Sequence, residues 1–117
     1  MRSLKVTDAF RTFVLDQLDG LDDVVSRAMF GGVGLYCRGV FFGILANDVL
    51  YLKVDDSNRR DYERAEMPAF KPYPDRSGTM EYFAVPIDVL ENADEVAEWA
   101  RKSVNVARRI EGRGARR

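Results

Sequence analysis

The chain has 117 residues, with 18 Lys and Arg against 19 Asp and Glu, one cysteine and no histidine. This length and composition indicate one globular domain. Without histidine, no Ser-His-Asp triad, Cys-His dyad or His-based zinc site exists within one chain. A single cysteine, Cys37, is typical of a reducing compartment, so we expect a cytoplasmic protein. Because histidine is absent, we also expect that the protein is not an enzyme and uses no cofactor or metal.

Charge is distributed unevenly along the chain. Residues 1–98 carry 11 basic and 18 acidic side chains, a net charge of −7, whereas residues 99–117 carry 7 basic and 1 acidic, a net charge of +6. The N-terminal thirty residues lack the pattern of a signal peptide, and the apolar runs are far shorter than the roughly 20 residues of a membrane span. We therefore expect no membrane association.

The N-terminal segment has the pattern of an amphipathic helix. Thr7 is a suitable N-cap, and the apolar residues that follow recur at helical spacing until Gly20, which predicts a helix over about 8–19. Short β-rich runs then follow at 24–30, 34–37, 40–45 and 49–54, separated by pairs such as Arg38-Gly39 and Asn47-Asp48 that favour tight turns. These runs predict an antiparallel meander of four strands, the last of which has one apolar and one mixed face.

The second half of the chain alternates between irregular and helical patterns. Residues 55–57 predict caps for a short surface helix to about residue 65, and three prolines and a glycine within 67–79 predict a loop attached to the body by Phe70 and Tyr73. A fifth strand is predicted over 80–85, with Pro86 at the first position of a short helical turn over 87–90. A capping box formed by Asn92 and Glu95 predicts a long helix over about 93–109.

These elements predict an α+β fold. We expect an antiparallel sheet of about five strands, covered on one face and flanked by an N-terminal helix and a long C-terminal helix. Residues 1–110 would form a single domain, and residues 111–117 a basic, disordered tail.

Most motifs that resemble reactive sites have a simpler structural interpretation. Gly31, Gly32 and Gly34 precede a further strand and not a helix, so they favour a hairpin over a phosphate-binding loop. Cys37 is expected to be buried and inert, and the acidic residues of 55–66 to be solvated. The charges left as candidates for an interaction surface are Arg27, Lys53, Arg101, Lys102, Arg108 and Arg109.

The central and C-terminal residues resemble the N-terminal domain of the TfoX/Sxy family. The resemblance spans about residues 8–108 and is carried by Arg27, Met29-Phe30-Gly31-Gly32, Gly34, Tyr36, Gly39, Phe42, Leu50-Tyr51-Leu52-Lys53-Val54-Asp55, Phe70, Met80, Tyr82, Pro86, Leu90 and Trp99. It implies a bacterial α+β domain without catalytic residues or cofactor. Its namesakes regulate natural competence, acting with a cyclic-AMP receptor protein at promoters. Because the sequence stops at Arg117, we expect a stand-alone domain without their C-terminal helical domain.

Three functional hypotheses follow. The first is a non-enzymatic regulatory or protein-interaction domain, with a protein partner that belongs to the transcription machinery and with homodimerisation through a sheet edge as a further possibility. The second is weak, sequence-independent nucleic-acid binding through the C-terminal arginines. The third is a small-ligand protein or enzyme with a pocket under the proline-rich loop, where Lys53, Tyr73 and Tyr82 supply polar groups.

Overall fold

A five-stranded antiparallel sheet and four helices form the part of the chain that the structure describes. This computed structural model describes residues 5–29, 31–70 and 81–115, with side chains as far as residue 110. The strands follow one another in the order β1-β2-β3-β4-β5, which confirms the predicted meander and the predicted α+β class. In chain order the elements are α1 (Asp8–Gln17), β1 (Val24–Met29), β2 (Gly32–Cys37), β3 (Val40–Ala46), β4 (Val49–Lys53), α2 (Arg59–Arg64), β5 (Tyr82–Ala84), α3 (Ile87–Leu90) and α4 (Ala93–Ala115).

Two-residue turns join the central strands. Arg38 and Gly39 connect β2 to β3 with φ angles of 52° and 80°, and Asn47 and Asp48 connect β3 to β4 with φ angles of 53° and 55°. Positive φ at both positions is the geometry of a type I′ turn, whose twist matches that of the flanking strands. The turn residues recognised in the sequence therefore set the register of both hairpins.

A β-bulge interrupts the pairing of β3 with β2. Leu35 pairs with Gly43 while its neighbour Tyr36 pairs with Phe41, so Phe42 is the additional residue on β3. Its side chain is fully buried. Close to the bulge, a Cβ on Gly43 would lie 3.1 Å from the carbonyl oxygen of Tyr51. Because Gly43 pairs with Leu35 and Leu52 of the main core, the bulge places Phe42 and Gly43 on the same face of the sheet.

Helices α1 and α4 cover one face of the sheet. The alternation predicted for β4 is confirmed, because Leu50, Leu52 and Val54 are buried in this core. Residues from α1 and α4 complete the same cluster, namely Val14, Leu18, Val96, Ala97, Ala100, Val104 and Ala107. Burial of this apolar surface is the main stabilising contribution to the fold.

The opposite face carries a second, smaller apolar cluster. Ile44, Ala46, Phe70 and Tyr82 are buried there, and the ring of Phe70 lies 4.7 Å from that of Tyr51 between centroids. The prediction of a sheet covered on one face was therefore incomplete, since aromatic side chains give this face an apolar core of its own. Phe70 contacts the body as predicted, whereas Tyr73 and Met80 lie outside the described residues.

The caps predicted for α1 and α4 are confirmed, whereas the cap predicted for α2 at residues 55–57 is wrong, because Asn58 is the N-cap of α2, and several helix ends differ as well. Thr7 Oγ1 accepts a hydrogen bond from the Phe10 amide at 3.1 Å, and Asn92 Oδ1 accepts one from the Glu95 amide at 3.0 Å. Helix α1 ends at Gln17, before the predicted end at residue 19, and Pro86 is the N-cap of α3 and not its first residue. Helix α4 continues to Ala115, beyond the predicted end at residue 109, into the segment assigned to a tail.

Helix α2 differs most from its prediction as a surface helix. It begins at Arg59, because Asp55 forms a turn in which its carboxylate accepts the amide and hydroxyl hydrogens of Ser57. Tyr62 is 1% exposed, and its ring packs 5.7 Å from Phe83 and 4.8 Å from Trp99 between centroids. One buried aromatic side chain is too little to give an apolar stripe in the sequence, yet it fixes the helix to the core.

Candidate functional site

The basic residues of α4 lie on two sides of the helix. Arg101 and Arg108 are seven positions apart, as are Lys102 and Arg109, and residues at that spacing share a face. The two pairs border the buried face of α4 at its two edges, with Val104 next to the first pair and Val106 next to the second. The predicted basic surface of the helix is thus two surfaces with different surroundings.

Lys102 and Arg109 attach α4 to the segment around α2. Lys102 Nζ lies 2.8 Å from Asp61 Oδ2. Arg109 Nη2 donates to Asp55 Oδ2 at 3.2 Å and to Ser57 Oγ at 2.8 Å. Burial raises the pKa of Asp55, but the hydrogen bonds from Ser57 and Arg109 outweigh burial and hold that pKa below its ordinary value. These two cations are therefore already engaged by carboxylates.

Arg101 and Arg108 face a cleft at the other side of α4. The cleft has a volume of about 230 Å³ and lies between α4, the connection from α1 to β1, and the turn from β2 to β3. Its polar lining includes Asp22 and a third arginine, Arg38. The described residues that line this small cleft therefore include three arginines and one acidic residue.

Local geometry places each of these arginines. Arg38 occupies the first position of the type I′ turn, where its backbone amide donates to the Asp23 carbonyl oxygen at 3.1 Å. The position that a Cβ on Gly20 would take lies 3.5 Å from Arg101 Nη2, so Arg101 reaches the α1–β1 connection. Arg108 lies two helical turns further along the same side of α4.

The ion pairs around the cleft are weak. Arg38 Nη2 lies 3.6 Å from Asp22 Oδ2, with 58% and 80% of these side chains exposed. Arg101 pairs with Glu98 on its own helix at 3.2 Å, and again both partners are more than half exposed. Exposed pairs contribute about 0–1 kcal/mol because water screens them. No ion pair of Arg108 is found among the residues that the structure describes.

Cys37 forms part of the cleft wall but is a poor nucleophile. Its side chain is 5% exposed, and its thiol donates a hydrogen bond to the carbonyl oxygen of Asp22 at 3.1 Å. Burial raises the pKa of Cys37, and the positive charges of Arg108 and Arg38 lower it by less. The prediction of a buried thiol is confirmed, and Arg38, which lies in the turn directly after Cys37, is one of the two arginines that lower the pKa of this thiol.

Arg27 and Lys53 lie away from the cleft, on the second face of the sheet. The guanidinium carbon of Arg27 is 5.4 Å from the centre of the Tyr36 ring. Lys53 Nζ lies 5.1 Å from the Tyr82 ring and 5.8 Å from the Phe41 ring, distances typical of cation–π contacts. The six predicted residues therefore fall into three places, and only Arg101 and Arg108 share a concave site.

The pocket expected under the proline-rich loop involves residues that lie partly outside the described part of the chain. Tyr73 lies outside the described residues, and burial raises the pKa of Tyr82, so its hydroxyl stays protonated near neutral pH. Across ranges 5–29, 31–70 and 81–110, no three Cys, Asp or Glu side chains are grouped as metal ligands. The same part of the chain has no helix that is both long and apolar enough to cross a membrane.

Comparison with known protein families identifies the TfoX N-terminal domain over residues 16–107. The chain belongs to this family. The match spans the sheet, α2, α3 and most of α4, and it ends one residue before Arg108. No curated protein matches the chain.

Arg38 is the cleft residue that the set of candidates lacked. Its turn was recognised in the sequence, which places it at the end of a hairpin, but nothing in the sequence indicates that α4 packs beside that end. The family resemblance does not point to it either. The packing of α4 across the sheet brings Arg38 to the same cleft as Arg101 and Arg108.

Proposed function

We propose that this TfoX N-terminal domain is a non-enzymatic regulatory module that binds an acidic segment of a protein partner through Arg38, Arg101 and Arg108. The observation that supports the proposal is the placement of these three guanidinium groups around one cleft that contains a single carboxylate, Asp22. Arginine suits this role because it stays charged and donates several hydrogen bonds in a fixed, planar arrangement.

The charge of the rest of the chain favours such a partner at this place. Residues 1–98 have a net charge of −7, so most of the surface repels an acidic segment while the cleft attracts it. Charges of this kind select the orientation of a partner and accelerate its association more than they raise affinity. The contact would therefore be transient and sensitive to salt.

Family membership suggests the kind of partner. TfoX regulators of natural competence act with a cyclic-AMP receptor protein, and by that likeness the partner of this domain belongs to the transcription machinery. The six basic candidates contribute unequally to such a contact. Arg101 and Arg108 line the cleft, where Arg101 has only an exposed pair with Glu98 on its own helix, while Lys102 and Arg109 are held by Asp61 and Asp55.

Affinity capture from the native cytoplasm tests the proposal. The wild-type chain is compared with the double variant Arg101→Ala/Arg108→Ala and with a matched control, Arg60→Ala/Arg64→Ala, which removes the same charge from exposed positions of α2. We expect transcription proteins to be recovered with the wild type and the control and to be lost with the cleft variant. Equal recovery with both variants would refute the role of the cleft.

A further inference from the structure

The size of the arginine cleft limits what can enter it. Its volume of about 230 Å³ is below the roughly 300–1,000 Å³ of most small-molecule sites. It therefore accommodates one small group, and the rest of a larger ligand would lie outside it. The lining also has an amphipathic character, since the buried side chains of Leu21 and Val104 lie beside the charged residues.

The charge of the lining identifies the class of that group. Arg38, Arg101 and Arg108 are positive at all physiological pH values, and the acidic residues beside them are Asp22 in the lining and Glu98, the partner of Arg101. The thiol of Cys37 is neutral because burial raises its pKa. Three guanidinium groups attract a doubly charged anion more strongly than they attract a single carboxylate.

We propose that the cleft binds a phosphate monoester. A phosphoryl group presents three terminal oxygens and carries a charge of about −1.5 to −2 at neutral pH, and guanidinium groups bind such oxygens through paired hydrogen bonds. The three arginines around the cleft therefore equal the terminal phosphoryl oxygens in number. The inference rests on the proposed function when the phosphoryl group belongs to a side chain of the protein partner, and it also covers a free phosphorylated metabolite.

The present ion pairs of Arg38 and Arg101 are weak enough to be replaced by contacts with a phosphoryl group. Among the described residues, Arg38 has a long, exposed ion pair with Asp22, and Arg101 has an exposed ion pair with Glu98. Replacing these contacts costs little, because each contributes about 0–1 kcal/mol. By contrast, Lys102 lies 2.8 Å from Asp61, and Arg109 donates to both Asp55 and Ser57, so these cations keep their positions.

Titration of the full-length chain, followed by backbone amide NMR shifts, tests the site. The probes are O-phosphoserine, a short peptide with one phosphoserine, the same peptide without phosphate, and glutamate. We expect saturable shifts at Gly20, Asp22 and Arg38 with the phosphorylated probes only. Binding of the phosphopeptide identifies a modified partner side chain as the source, and binding of O-phosphoserine alone identifies a small metabolite. Absence of saturable binding by both would overturn the proposal.

Variants at the cleft sharpen the test. Each of Arg38→Ala, Arg101→Ala and Arg108→Ala should weaken binding about tenfold, since each removes charge-assisted hydrogen bonds. Asp22→Asn should strengthen it, because the substitution removes the only carboxylate of the lining and releases Arg38. The matched control Arg60→Ala/Arg64→Ala should bind as the wild type does. Unchanged binding in the arginine variants would place the phosphoryl group elsewhere.

The pH dependence separates a phosphate monoester from anions in general. The charged groups around the cleft are Arg38, Arg101, Arg108 and Asp22, with Asp23 and Glu98 nearby. A phosphate monoester gains its second charge near pH 6, so its affinity should rise between about pH 5 and pH 7.5, while that of sulfate, doubly charged throughout, should not. Equal profiles for the two anions would contradict recognition of the phosphoryl dianion.

The two proposals fail separately. Loss of partner capture in the Arg101→Ala/Arg108→Ala variant, without phosphate binding by the wild type, would leave the protein contact and remove the phosphoryl ligand. Phosphate binding by the wild type with equal partner capture by all variants would leave the ligand site and remove its role in the protein contact.

Discussion

Ser103 on α4 donates its hydroxyl hydrogen to the carbonyl oxygen of Lys53, at the end of β4, over 2.7 Å. Ser103 is fully buried, and the same carbonyl also accepts a hydrogen bond from Asn58 Nδ2 at 3.1 Å. Buried polar contacts thus hold the end of β4 against both α2 and α4. This attachment sets the rotation of α4 about its own axis and, with it, the side on which Arg101 and Arg108 lie.

We expect Ser103→Ala to lower the free energy of unfolding by about 1 kcal/mol, because one buried hydrogen bond is lost while the Lys53 carbonyl keeps its second donor. Asn58→Ala should cost about 2 kcal/mol, since its side chain also accepts a hydrogen bond from the Asp55 amide. Urea unfolding measures both, with Thr12→Ala at an exposed position of α1 as the control. Equal stability of Ser103→Ala and the wild type would contradict this account.

Asp55 should make stability depend on pH in the acidic range. Its pKa in the folded state lies below the ordinary value of 3.8, so the ionised form is favoured by folding. This contribution is present above the unfolded-state pKa and is lost as pH falls through the folded-state pKa. The wild type should therefore exceed Asp55→Asn in stability at pH 6, by a margin that shrinks below about pH 4. A margin independent of pH would show that Asp55 acts through packing alone.

Cys37 should react slowly with a thiol reagent in the native protein and at the normal rate in denaturant. Its side chain is 5% exposed, and burial raises its pKa, so little thiolate is present at neutral pH. Arg108→Ala should slow the native reaction further, because that guanidinium lowers the pKa of the thiol. Rapid, stoichiometric labelling of the folded wild type would mean that the thiol is accessible and activated.

We expect no retardation of duplex DNA by the chain at physiological salt in a gel-shift series. Lys102 and Arg109 are paired with carboxylates, and residues 1–98 carry a net charge of −7, so few cations are available for phosphate contacts. Binding at low salt should fall steeply as salt rises, since each phosphate contact releases counterions. Retardation that persists at 150 mM salt and is lost in Arg113→Ala/Arg116→Ala/Arg117→Ala would support the nucleic-acid hypothesis instead.

The predictions from the sequence were most successful where structure depends on neighbouring residues. The pairs Arg38-Gly39 and Asn47-Asp48 adopt the positive φ angles that their residue types permit, and Thr7 caps α1 with its own hydroxyl. Buried and partly exposed residues likewise alternate along β4, because successive side chains of a strand lie on opposite faces of the sheet. The family could be identified for the same reason, since its motifs lie in these local segments.

The packing of distant segments decided the rest. Tyr62 is buried because α2 lies against Phe83 and Trp99. A helix of six residues is too short for its apolar periodicity to predict that contact. The sequence alone determined that α4 is long, amphipathic and rich in arginine. Only the tertiary structure decided that Lys102 and Arg109 meet carboxylates while Arg101 and Arg108 join Arg38, because a side chain's partners depend on the element packed beside it.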